Sequence, residues 1–122
     1  MDGQRGERGY VVATNLPTGQ PVWRYGTDVG AAGRRPNNGG ANTWSSGSIV
    51  PNAGLVVFDE GDCHFTNPPP TAETACGLRI ADGRLIWRFR LHRPDHQCDW
   101  DFGGTANVGL TRGPRATFSV SA

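Results

Sequence analysis

The chain has 122 residues, room for one domain at most, with 18 glycines, 9 prolines and a hydrophobic fraction of 36%. No window of a dozen residues carries a helical stripe, and this balance suits short strands joined by tight turns, so the expected class is all-β. The formal net charge is +1, from twelve arginines and no lysine, which gives no electrostatic case for nucleic acid.

The opening twelve residues, MDGQRGERGYVV, are charged and Gly-rich and hold no apolar signal-peptide core. Taken literally they suit a cytosolic protein; in a piece of a longer chain they say nothing of location. Gly9 to Thr14 reads as a strand, Leu16-Pro17-Thr18-Gly19 as a turn, and Pro21 to Tyr25 as the returning strand. Residues 26 to 43 form a polar, Gly-rich stretch without periodicity, of the length usually reserved for function or disorder. A second hairpin is expected from Trp44 to Val50 and Gly54 to Phe58, turning at Pro51-Asn52-Ala53. A Pro-rich excursion from Gly61 to Thr74 leads to a third: Ala75 to Ile80, a turn at Ala81-Asp82-Gly83, then Leu85 to Phe89. No segment is long and apolar enough to be read as a membrane span.

Three cysteines cannot all pair. Cys63 and Cys76 bracket the Pro-rich loop, so a loop-closing disulfide is plausible there, leaving Cys98 free. His92, His96 and Cys98 have a spacing that hints at zinc, but a single cluster without a second half is a weak signal. Arg84, Arg88, Arg90 and Arg93 crowd together and read as a solvated strand edge.

The first and third hairpins repeat one another. Gly19 to Trp23 and Gly83 to Trp87 share one internal spacing, and Tyr25 answers Phe89. A repeated hairpin marks stacked or radial β architectures, because one such unit cannot bury both of its faces.

The run from Ala13 to Trp23 resembles the tryptophan docking motif of PQQ-type β-propellers, A-x-D-x-x-T-G-x-x-x-W, with Asn15 in place of the Asp. Gly77 to Trp87 is a weaker copy, with Gly77, Arg79 and Asp82 at the Ala, Asp and Thr places. Trp44-Ser45-Ser46, Gly61-Asp62 and Asp95 to Phe102 follow in the order seen in quinoprotein alcohol dehydrogenases. The D-x-D-F-G segment after a W-R-F-type strand is most similar to the polyvinyl-alcohol dehydrogenase branch. The resemblance covers residues 9 to 108; beyond it the tail, residues 108 to 122, diverges.

This resemblance implies about two blades of an eight-bladed propeller: the end of one blade in residues 9–25, and the following blade with a site loop in residues 44–102. It implies PQQ in a central chamber beside calcium or a lanthanide. Trp23 and Trp87 then pack between blades, and Trp44 forms the floor under the quinone. Asp62 takes the place of a metal-binding Asn, Asp99 that of the base, which also meets the metal, and Asp101 that of an added metal carboxylate. The spacing from Asp95 to Asp99 is one residue longer than in the methanol-oxidising branch, so Asp95 competes with Asp99.

The chemistry calls for these residue types: a carboxylate to take the alcohol proton, oxygen ligands for a hard cation, and an aromatic face for a planar cofactor. The implied parent is a periplasmic enzyme that oxidises a primary, secondary or polymeric alcohol and passes electrons to an acceptor such as a cytochrome c. The 122-residue chain is expected to be a fragment without turnover of its own. Against this stand plainer readings. Asp99 and Asp101 can be loop aspartates capping backbone amides, Asp62 a turn residue, and Trp44 one more packing residue. A non-catalytic propeller that serves as an interaction scaffold is the alternative for the whole.

Overall fold

A computed structural model describes residues 9–27, 43–61, 72–90, 104–111 and 117–121. The regular structure in these residues is antiparallel β, with one short 3-10 turn. β1 (Tyr10–Thr14) and β2 (Pro21–Gly26) form a two-stranded sheet. β3 (Ser48–Val50), β4 (Leu55–Glu60), β5 (Thr74–Arg79) and β6 (Leu85–Arg90) form a four-stranded meander in chain order. β7 (Asn107–Thr111) and β8 (Thr117–Ser121) pair as a second two-stranded sheet.

The two hairpins that repeat in sequence also repeat in register. Val11↔Tyr25, Val12↔Arg24, Ala13↔Trp23 and Thr14↔Pro21 become Ala75↔Phe89, Cys76↔Arg88, Gly77↔Trp87 and Leu78↔Leu85 at one constant offset. Each ladder slips at the same place, after Ala13 and after Gly77. The corners match bond for bond. Asn15 N–H donates to Gln20 O (2.8 Å) as Arg79 N–H does to Arg84 O (2.8 Å), and Gly19 and Gly83 both turn at positive φ, +69° and +70°.

Different chemistry fills the same places. In the first corner the Thr18 hydroxyl donates to the Asn15 side chain at 2.9 Å. In the second, Arg79 binds the Asp82 carboxylate through Nε at 2.8 Å and through a second nitrogen at 2.5 Å. Thr18 Oγ1 and Asp82 Oδ1 then each accept from the backbone N–H two residues on. The corner is conserved as geometry while its side chains change.

The β1–β2 sheet packs face to face on the four-stranded sheet. Val11, Trp23 and Tyr25, which alternate inward, meet Val56, Phe58, Cys76, Leu78 and Leu85. The Tyr25 and Phe58 rings meet edge to face with centroids 6.0 Å apart. Trp23 anchors this contact: its indole N–H donates to the Ile80 carbonyl at 2.7 Å. Its ring lies against Gly83, so closely that a Cβ there would sit 2.6 Å from ring carbons. A half-buried indole is best held by an apolar bed and an acceptor, and this corner supplies them together.

The opposite face of the four-stranded sheet carries Ala75, Gly77, Trp87 and Phe89, the register equivalents of Val11, Ala13, Trp23 and Tyr25. Trp87 lies across Gly77, its own cross-strand partner, where a Cβ would come within 2.5 Å of the ring. Phe89 is 58% exposed. At one edge of this face, Ser48 Oγ donates to the Ala106 carbonyl, which brings the start of β7 beside the start of β3.

Two expectations are corrected. The strand expected from Trp44 begins only at Ser48, since Trp44 to Gly47 lie outside the ladder. Cys76 is a free thiol with no exposed surface, packed with Phe58 and Leu78, and closes no disulfide with Cys63.

The two turn glycines separate backbone strain from ring packing. Gly19→Ala, with open space around its Cβ, is expected to cost about 1–2 kcal/mol from left-handed φ alone. Gly83→Ala adds the displacement of Trp23, roughly 1–3 kcal/mol more. Urea unfolding of the two variants measures the difference, and equal losses would contradict the docking described.

Candidate functional site

The meander separates two ends of the sheet with different connections. At one end are the short corners, residues 15–20, 51–54 and 80–84. At the other, β3 and β5 begin and β4 and β6 end; there the chain leaves for residues 62–71 and 91–103. β2 ends at that same end by its equivalence with β6, before residues 28–42, and β7 starts there beside β3. The long connections and the starts of β3, β5 and β7 therefore share one end.

That end is also where the buried charge lies. Asp59 (1% exposed), Glu60, Glu73 and Thr74 sit at the last residues of β4 and the first of β5, and Thr27 is buried just beyond β2. Buried carboxylates are costly, so their presence at one end of an otherwise apolar strand needs a reason.

Asp59 shares its face with Val57, Gly77 and Trp87. The Ser45 hydroxyl donates to one of its carboxylate oxygens, while Oδ2 is buried and has no hydrogen-bond partner. The Thr43 hydroxyl is in the same state. Between these residues Trp44 stands 66% exposed. Its ring stands open, with the Thr43 and Ser45 hydroxyls on either side of it in the chain.

Glu60 lies on the opposite face of β4, between the sheets. Burial, with the Glu60 charge second, raises the Tyr25 phenol above its ordinary range. The same two causes, in the same order, push the Cys76 thiol up to about 12. Thr74 Oγ1 contacts the Cys76 sulfur at 3.4 Å, and the Arg88 charge opposes Glu60 from β6. Cys76 is thus a protonated, inert thiol at neutral pH. Next to this group, Arg90 Nε donates to the Ala72 carbonyl at 3.2 Å, and burial lowers its pKa below the usual guanidinium range.

Of the site residues expected from sequence, Trp44 stands at the long-loop end. Asp62, Asp99 and Asp101 lie outside the described residues, as do Asp95, His92, His96, Cys63 and Cys98. Among the described residues no group of three His, Cys, Asp or Glu side chains converges as a cation site. No described helix is long and apolar enough to cross a membrane. Sequence reasoning passed over Asp59 and Glu60; the signal was two acids closing an apolar strand, Leu55-Val56-Val57-Phe58-Asp59-Glu60.

No protein-family model and no curated protein sequence matches this chain. The arrangement of its own residues therefore carries the functional reading.

Burial raises the Asp59 carboxyl above its ordinary value of 3.8, with the Ser45 hydrogen bond opposing part of the rise. The folded chain therefore holds this proton more tightly than the unfolded chain does. The associated stability is full below 3.8 and falls as pH rises through the folded value. Asp59→Asn is expected to unfold at higher urea than the parent chain at neutral pH, with the gain vanishing below pH 3.8. A gain that persisted in acid would contradict a buried ionised carboxylate.

Proposed function

We propose that the chain is a sector, about two blades' worth of strands, of a PQQ-type β-propeller from a periplasmic quinoprotein alcohol dehydrogenase, with its cofactor end at the long connections. The observation that carries this reading is the repeated face. The face that bears Trp23 and Tyr25 is docked on a neighbouring sheet, and its register equivalent, bearing Trp87 and Phe89, is offered again one sheet further on. Sheets that repeat the same docking in the same direction build a ring or a stack. The contact between the starts of β3 and β7 favours a ring with these strands innermost.

Two described residues support this reading. Trp44 offers an exposed aromatic plane just before β3, and Asp59, bonded by the neighbouring Ser45, keeps one oxygen without a partner as a hard ligand. In this reading Trp44 supports the planar cofactor. Asp62 and Asp101 supply oxygens to calcium or a lanthanide. Asp99 would meet the same cation and accept the proton of the alcohol hydroxyl. PQQ, when bound, supplies the electrophilic carbonyl that accepts the hydride of the alcohol. The substrate is an alcohol, polymeric in the branch the sequence is most similar to, and the electrons leave to a carrier such as a cytochrome c. The described residues close no chamber, and in this reading the remaining sheets of the ring are needed for turnover.

Terbium luminescence tests the site without requiring turnover. Tryptophan-sensitised Tb³⁺ emission is expected on titrating the chain, and the Asp99→Asn/Asp101→Asn pair is expected to weaken binding at least about tenfold. Absence of sensitised emission, or emission indifferent to those aspartates, would remove the metal site and leave a non-catalytic scaffold. Alcohol-dependent dye reduction by the chain with PQQ and calcium is expected to be nil; robust turnover would contradict the sector reading.

A further inference from the structure

The strands of this chain divide as two, four and two, with a two-stranded sheet at each end of the chain order. β1–β2 has the register, corner and bulge of β5–β6, the last two strands of the complete sheet. β7–β8 starts beside β3, where the first two strands of the next sheet belong.

The open edge of β1 is already in the right phase to receive a partner. Thr27 N–H donates to Gly9 O at 3.1 Å, and in an antiparallel ladder bonded pairs alternate, so Val11 and Ala13 bond to β2. The backbone groups of Tyr10, Val12 and Thr14 therefore turn to the other edge. Their equivalents in the complete sheet, Thr74, Cys76 and Leu78, pair there with Glu60, Phe58 and Val56 of β4. Among the described residues, no strand pairs with this edge of β1, and β8 pairs with β7 alone.

The outer face of the same hairpin is unfinished too. Val12 is 47% exposed, whereas its equivalent Cys76 is fully buried beneath the docked sheet. Tyr10 and Val22 also keep exposed apolar surface. An apolar face and an unpaired edge on one hairpin form an invitation to strand addition.

We infer that copies of this chain associate head to tail, β8 of one pairing antiparallel with β1 of the next to complete a four-stranded sheet. The face bearing Trp87 and Phe89 on one copy then packs on the sheet so completed, repeating the contact that Trp23 makes within the chain. Each copy contributes one sheet of its own and shares another. The contact is heterologous, so it closes only as a ring; with eight sheets, the number implied by the resemblance, about four copies close it. The ring size rests on the propeller reading, but the pairing rests on the register alone.

Native mass spectrometry and light scattering of the full chain test this. A discrete oligomer is expected that dissociates on dilution. Val12→Pro removes one donor on the open edge and none from the β1–β2 ladder. It is expected to weaken association at least about tenfold while Trp23 fluorescence stays that of the docked ring. Val12→Lys, which keeps the N–H and charges the outer face, is expected to weaken it as well and serves if the proline variant unfolds. A monomer at every concentration, a polydisperse aggregate, or an oligomer indifferent to both variants would overturn the inference. A monomer would leave the dehydrogenase reading standing, because further sheets in a longer chain supply the same contacts.

Discussion

Everything in this fold depends on an indole lying flat against a glycine. Trp23 leaves its own hairpin, covers Gly83 of the next, and gives its N–H to the Ile80 carbonyl at the same corner. Apolar burial draws the ring onto the neighbouring sheet, the hydrogen bond sets which corner it meets, and the missing Cβ sets how close it comes. One contact thereby fixes both the spacing and the stagger of adjacent sheets. The inter-sheet core of Phe58, Cys76 and Leu78 fills the space that this contact defines. Trp87, the equivalent ring, has no such neighbour among the described residues and lies over Gly77 of its own sheet.

Fixing the stagger has a consequence at the far end of the strands. Because sheets are aligned by their short corners, their long connections are aligned as well. Trp44, Ser45 and Asp59 come together at that end, with Ala106 against the start of β3. The short corners are held by local hydrogen bonds and carry structure; the opposite end carries the buried acids and the exposed indole. Division of labour between two ends of a β scaffold lets connections vary in chemistry without disturbing the docking that holds the sheets.

Much of this was legible in the sequence because turn chemistry is local. Gly19 and Gly83 marked corners that need positive φ, and their equal distance from Trp23 and Trp87 foretold equal registers. The exchange of Asn15 and Thr18 for Arg79 and Asp82 disguised the second corner, although the bonds made there are the same in kind. The expected disulfide misled because loop-bracketing position says nothing of which way a strand residue points; Cys76 points into the inter-sheet core. β7 and β8 were missed because Arg112, Gly113, Pro114 and Arg115 broke the pattern between them, yet Thr117 to Ser121 alternates as a strand should. Asp59 and Glu60 fell beyond the expected strand end at Phe58, and their burial is a tertiary fact that no local pattern states. Of the site read from resemblance, Trp44 stands at the long-loop end, and the aspartates lie beyond the described residues.

The docking of Trp23 is open to direct measurement by hydrogen exchange at the indole nitrogens, read residue by residue by NMR. The Trp23 indole N–H is expected to exchange orders of magnitude more slowly than that of Trp44, whose ring stands in solvent and serves as the internal reference. If the two exchange alike, the sheets are not held together by this ring and the account of the fold fails with it.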